Sequence, residues 1–256
     1  MTSPIRCTSE RSGQIQRVVL DRPKGNVIDL EMIAAIRARL AELSADPGPT
    51  RLLVFEGAGE HFSFGASVEE HLPGRVEGML PAFHSLFRDL EALGVPTAAL
   101  VRGQCLGGAF ELALWCGVIF CEPSARFGLP ETKLGVFPPL AAIALPWRVP
   151  GARASQMILS GDTCDAQGAV AWGLVDRCTA DAGSALLQWF DERLAGKSAV
   201  AVRMAWRASR RLLSRALAIE LPELERLYLE ELMAHRDPVE GLTAFLERRQ
   251  PVWKDA

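Results

Sequence analysis

Through the first two-thirds of the chain, short continuous apolar runs alternate with segments in which apolar residues recur every three or four positions. The first pattern fits a strand and the second one face of a helix. Gln16-Arg17-Val18-Val19-Leu20 reads as a strand and Asp21-Arg22-Pro23-Lys24-Gly25-Asn26 as a turn. Asp29 stands where an N-cap is needed, with Ile33, Ile36 and Leu40 at helical spacing behind it. Arg51 to Gly57 is a second strand, closed by glycine. Phe83, Leu86, Phe87 and Leu90 predict a helix over Pro81 to Leu93, and Thr97 to Val101 returns as a strand. This alternation predicts an α/β protein with helices packed on sheets.

The rhythm changes after about Asp181. Gly183 to Ala195, Ser198 to Ala218 and Leu221 to His235 are helical patterns, and Pro238-Val239-Glu240-Gly241 leads into a last helix around Leu242 to Arg249. The expected division is a strand-bearing core over residues 1–195 and a helical region over 196–256. No low-complexity linker separates them, so the helical region is expected to pack on something, a neighbouring subunit being one candidate.

Composition sets limits on partners. At 49% hydrophobic and 23% charged, the 256 residues are those of a globular chain. A formal net charge of -3 supplies no global field to recruit nucleic acid or an anionic membrane, so a polyanionic ligand would have to be bound locally. The six cysteines form no CxxC, and the four histidines show no paired metal-ligand spacing. Buried, reduced thiols and no metal are expected. Met1 to Glu10 is polar and lacks the apolar segment of a signal peptide, and charge or proline breaks the longer apolar runs before they reach a membrane-spanning length. A soluble, cytoplasmic protein is expected.

Two glycine clusters carry candidate chemistry. Gly103-Gln104-Cys105-Leu106-Gly107-Gly108 follows a strand and opens a helix, an order that aims free backbone N–H groups at an anion. It lacks the nucleotide-binding spacings GxGxxG and GxxxxGK[ST]. The other, Glu60 to Ser67, follows the Leu52 to Phe55 strand and also reads as an ordinary loop. Glu111 falls on the first turn of the helix among Phe110, Leu112, Ala113, Leu114 and Trp115. Burying an unpaired charge there is costly, so this acid either works, faces the surface or caps something. Glu131 follows Pro130 and could equally be a first-turn helix acid. His61, His71, His84 and His235 have no evident carboxylate or serine partner. Arg203, Arg207, Arg211 and Arg215 make a basic helix stripe, read as a solvated or salt-bridged face in preference to an RNA track.

Taken together, these segments resemble the enoyl-CoA hydratase/isomerase (crotonase) superfamily from about Ile15 to Lys254. The likeness is carried by Asp21 to Asn26, Phe62 to Ser67, Leu106 to Leu112, Phe127 to Gly135 and Phe245 to Lys254. It implies a spiral of ββα units with a C-terminal helical trimerisation region, assembled as a homotrimer or a dimer of trimers. It places the Ala66 and Gly108 N–H groups as an oxyanion hole around a thioester carbonyl. The CoA moiety would meet Phe64, Gly65, Ser67 and Val68, with Lys24, Trp253 and Lys254 completing its site. Val136, Pro138 and Pro139 would border the acyl group and the water. Glu111 and Glu131 fall on the two glutamates with which hydratases of the family hold water and move its proton. Members that isomerise, hydrolyse or decarboxylate often keep only one, so the pair favours hydration. Which is acid and which is base stays open. No cofactor is implied, because coenzyme A is part of the substrate.

The sequence also departs from the family pattern. Ser67 replaces the acid of a Gly-Ala-Asp loop, and the stretch that usually reads Pro-Gly-Ala-Gly-Gly-Thr is Pro138-Pro139-Leu140-Ala141-Ala142-Ile143. Pro139 stands where a glycine N–H helps to position the water, and proline has none to give. Water must be held differently, or the reacting carbon is displaced. Phe64 to His71 and Val136 to Pro139 are similar to the corresponding segments of hydratases that act on a conjugated ring diene. The expected function is hydration of a conjugated enoyl-CoA, a cyclic diene included. The alternatives are a conventional 2-enoyl-CoA hydratase, an isomerase or thioester hydrolase of the same fold, and an RNA-binding or scaffolding relative.

Overall fold

In the computed structural model, which describes residues 3–256, the apolar runs become strands covered on both faces. The chain opens with the hairpin β1 (Ile5–Glu10) and β2 (Ile15–Leu20) and continues through α1 (Leu30–Ala45), β3 (Leu52–Gly57), α2 (Val76–Leu93), β4 (Thr97–Val101) and β5 (Gln104–Leu106). Next come α3 (Gly108–Trp115), β6 (Val118–Cys121), β7 (Arg126–Gly128), a 3-10 turn (Pro130–Leu134), α4 (Pro139–Ala144), α5 (Gly151–Ser160), β8 (Thr163–Asp165), α6 (Ala166–Ala171) and β9 (Arg177–Cys178). The helical part contains α7 (Ala182–Arg193), α8 (Ala199–Ser209), α9 (Arg211–Arg226), a π-helical turn (Leu227–Glu231) and α10 (Asp237–Leu246).

One sheet has the order β1-β2-β3-β4-β6-β9, parallel except for the opening hairpin, and a smaller one has the order β5-β7-β8. Each turn of the spiral lays a strand in the large sheet, then a short strand or bridge in a second layer, then a helix. β4, β5 and α3 form one such turn; in the preceding ones the second-layer contacts shrink to the bridges Ser63 to Cys105 and Ile28 to Ala66. Alternate residues of the strands serve different cores, as a period of two requires. Leu53, Phe55, Ala99 and Val101 face the main core, whereas Leu52, Val54, Ala98 and Leu100 face a smaller one covered by Leu186 and Phe190 of α7.

Asp29 caps α1 as expected, accepting the Met32 N–H at 2.9 Å. Other boundaries differ from the sequence reading. β1 escaped it because only Ile5 of that strand is buried, leaving no apolar pattern. α2 starts at Val76, with Pro81 inside the helix rather than at its start. The last helix begins at Asp237, with Pro238 in its first turn, where the missing N–H costs nothing. The helical stretch expected over Ser198 to Ala218 breaks at Arg210. That break divides the four arginines between two helices, and Arg203 donates to the Gly48 and Thr50 carbonyls. Among the described residues, no helix is long and apolar enough to cross a membrane.

The helical part packs on its own chain. α9 lies across α2 and α4, and Leu213, Leu217, Leu221, Tyr228 and Leu242 share one core with Phe55 and Phe87. His84, inside α2, has a carboxylate partner that sequence spacing hides: Glu225 of α9, 2.8 Å from its Nδ1. Arg210 is the rivet between the parts. Its guanidinium lies between the Trp115 and Trp206 rings, at 4.7 and 4.6 Å from their centres, and its Nε donates to Glu91 at 2.8 Å. Removing one partner of a buried pair leaves the other uncompensated. Arg210→Met is therefore expected to destabilise the fold by about 3 kcal/mol, read as a lowered urea midpoint at unchanged slope.

Candidate active site

Ala66 and Gly108 come from loops far apart in sequence, and the second layer brings them together. The bridge to Ile28 uses the Gly65 carbonyl (Ile28 N to O, 2.9 Å) and the Ser67 N–H (to the Ile28 carbonyl, 3.0 Å), which turns the intervening Ala66 N–H away from Ile28. Gly108 begins α3, so its N–H is one of the helix's unpaired donors. A side chain at Gly65 would block the approach, and one at Gly108 would crowd it. A Cβ on Gly65, whose φ is +104°, would lie 2.7 Å from the Leu106 oxygen, and one on Gly108 would lie 3.0 Å from Phe83 and 3.4 Å from the Ala66 nitrogen. Both N–H groups border a cavity of about 440 Å³.

The two glutamates line the same cavity, with Met79, Leu80, Phe83, Val136, Phe137 and Leu242 supplying much of its apolar wall. Glu111 is only 3% exposed. Its Oε1 accepts the Ala141 N–H at 2.8 Å, and the Leu140 N–H also supports it. Glu111 thus caps α4 from outside, a service that Pro138 and Pro139 cannot perform for themselves. Burial raises its pKa to about 7, against the opposing pull of these two N–H groups. Glu131 sits at the start of the 3-10 turn, with its Oε1 3.0 Å from where a Cβ on Gly107 would be. Its Oε2 is buried without a partner. Burial, then the Glu111 charge, raises its pKa well above the usual carboxylate range. Both carboxyls are thus pushed upward, and they titrate as an interacting pair.

Phe64, Gly65, Val68, Val136, Pro138 and Pro139 also border the cavity. Ser67 does not: its N–H is spent on Ile28 and its carbonyl on His71 Nδ1 at 2.7 Å. Lys24 lies in an adjacent surface depression with His61, connected to the rim through Phe64, whose N–H donates to the Gly25 carbonyl at 2.8 Å. Trp253 and Lys254 lie outside the cavity lining, the indole against Gly241 and the Lys254 N–H on Asp237 at 2.8 Å. From that region the wall is made by Gly241, Leu242, Phe245, Arg249 and Pro251. Sequence reasoning missed Tyr228, which also lines the cavity; its one signal is that it is the chain's single tyrosine, seven residues after Leu221 on the buried stripe of α9.

A fold of stacked ββα turns thus lines one apolar cavity with Ala66, Gly108, Glu111 and Glu131. The chain belongs to the enoyl-CoA hydratase/isomerase family, whose profile matches residues 10–256. Among its relatives is the cyclohexa-1,5-dienecarbonyl-CoA hydratase of Thauera aromatica, 43% identical over 99% of this chain and 98% of that protein. The carnitinyl-CoA dehydratase of Escherichia coli is 31% identical over 95% and 96% of the two chains. The crystal structure of an enoyl-CoA hydratase from Mycobacterium avium subsp. paratuberculosis superposes with a TM-score of 0.85 at 29% identity, covering 100% of both chains.

The carboxyl pair makes a prediction about stability. Because both folded-state pKa values lie above the usual 4.5, the folded protein holds protons that the unfolded chain releases, and this contribution to stability is lost as pH rises from about 4.5 through 7. Glu131→Gln keeps the shape and removes one titration. Its melting temperature should exceed the parent's at about pH 8 and approach it at about pH 5. A difference independent of pH would contradict the burial of an uncompensated acid.

Proposed function

We propose that this protein is an acyl-CoA hydratase that adds water to a conjugated, cyclic dienoyl-CoA thioester. The observation that carries the reading is the pair of buried carboxyls on one apolar cavity, both pushed upward by burial, beside the Ala66 and Gly108 peptides. The 43% identity to a cyclohexa-1,5-dienecarbonyl-CoA hydratase supports the choice of substrate.

In the proposed reaction the thioester oxygen accepts from the Ala66 and Gly108 N–H groups, which stabilise the negative charge that develops on it. Ionised Glu111 takes a proton from water as the water oxygen bonds to the β carbon, and the displaced electron pair moves into the thioester as a dienolate. Protonated Glu131 then returns a proton to carbon. On a conjugated diene, protonation at the far end of the dienolate leaves the surviving double bond conjugated with the thioester. The step is redox-neutral and draws its protons from the two acids, so the proposal calls for no cofactor beyond the CoA that the substrate carries. Phe64, 46% exposed at the cavity rim, and nearby Lys24 are proposed to meet the CoA portion, together with the Gly65 to Val68 backbone. Trp253 and Lys254 are assigned only to the outer edge of that site.

We further propose a homotrimer or a dimer of trimers. The support is the set of exposed apolar side chains Val200, Met204, Leu212 and Ile219 along α8 and α9. Six unpaired cysteines, four of them buried, support a reducing, cytoplasmic setting.

Incubation with cyclohexa-1,5-dienecarbonyl-CoA and, separately, crotonyl-CoA tests the reading, with the hydroxyacyl product followed by chromatography. Preference for the cyclic diene is expected; preference for crotonyl-CoA would assign a conventional enoyl-CoA hydratase, and turnover of neither would overturn the hydratase reading. Glu111→Gln and Glu131→Gln should each lower kcat by about 100-fold or more with thioester binding retained. In the parent, kcat/KM should rise with pH through about 7 as Glu111 ionises.

A further inference from the structure

Water that attacks carbon needs a base for its proton and a donor to fix its oxygen. The base is in place, but a backbone donor at α4 is not. Pro139, the first residue of that helix, has no N–H, and the next two N–H groups, of Leu140 and Ala141, are both engaged by Glu111. The cavity contains one further buried polar side chain unaccounted for by the protein's own hydrogen bonds. Tyr228 is 1% exposed, lines the cavity with both glutamates, and its hydroxyl has no hydrogen-bond partner.

Leaving a buried hydroxyl unpaired is unfavourable by about 1–3 kcal/mol, and phenylalanine would fill the same space without that cost. The local backbone is also unusual. Tyr228 lies in the π-helical turn Leu227–Glu231 that follows α9, and its ring is fixed against Phe137 at 5.3 Å between centres. Such turns are commonly retained at functional sites. Burial pushes the phenol upward, so the group stays protonated and remains a donor.

We propose that the Tyr228 hydroxyl holds the reacting water, taking over the donor position that Pro139 leaves vacant. The phenol O–H donates to one lone pair of the water, the Glu111 carboxylate accepts one of its protons, and the second lone pair is directed at the β carbon. Tyr228 forms no bond to carbon and undergoes no net proton change. The proposal rests on the hydratase reading above and deepens it: Tyr228 is a positioning residue for the water, not for the thioester.

The test compares the parent, Tyr228→Phe, and the double variant Tyr228→Phe with Pro139→Gly on cyclohexa-1,5-dienecarbonyl-CoA. Tyr228→Phe is expected to lower kcat by about 10-fold or more, to leave KM within about twofold, and to leave the melting temperature level or higher. Adding Pro139→Gly supplies an N–H at the start of α4 and should recover part of the lost kcat. A kcat for Tyr228→Phe within about twofold of the parent overturns the proposal, as does a loss carried mainly by KM or by unfolding. The parent separates the two readings: if it hydrates no enoyl-CoA, the hydratase reading fails, whereas an active parent with an unaffected Tyr228→Phe variant removes only the role of Tyr228.

Discussion

A carboxylate 3% exposed among apolar side chains has to be held by something, and the support for Glu111 comes from two peptide N–H groups at the start of α4. That contact fixes much else. It ties α3, which opens at Gly108 on the cavity wall, to α4. It consumes the first donors of α4, so they are unavailable to a ligand. Glu131, whose Oε2 is buried without a partner, is pushed upward by burial and then by the Glu111 charge. One hydrogen-bonded cap thereby differentiates two chemically identical side chains.

The structural reason for this economy lies in the second layer. Ala66 and Gly108 do not meet because their loops are long or flexible; they meet because the bridges Ile28 to Ala66 and Ser63 to Cys105 lay successive turns of the spiral side by side. Gly65 then permits a backbone approach that a Cβ would block, and Gly108 one that a Cβ would crowd. The helices arrive afterwards as a wall. α2 brings Met79, Leu80 and Phe83, while α10 and the turn after α9 bring Leu242, Phe245 and Tyr228.

Legibility in the sequence follows the range of the interaction responsible. Asp29 and its helix, the strands at Gln16, Arg51 and Thr97, and the helical rhythm after Asp181 are local patterns, and the structure shows them. β1 carries no apolar alternation because beyond Ile5 residues on both its faces are exposed, and α8 and α9 separate where Arg210 lies between two tryptophans, one of them almost a hundred positions away. At the site, the two glutamates stand out locally as acids in apolar or glycine-rich surroundings. Their inequality does not, because it depends on the N–H groups of Leu140 and Ala141 and on the charge of one acting on the other. Glu225 beside His84, and Tyr228 beside Phe137, are likewise tertiary facts with no local signature.

The proposed carbonyl grip and acyl wall are made of different materials. The grip is two peptide N–H groups, and nearly every amino acid carries the same one; the wall is side chains, and every substitution rewrites it. Under the proposed reaction, changes at Met79, Leu80, Phe137 or Phe245 would reshape the cavity without touching the peptide donors. A single ancestral scaffold with this division could diversify its substrates by ordinary point mutation while its central chemistry stayed sheltered from the genetic alphabet.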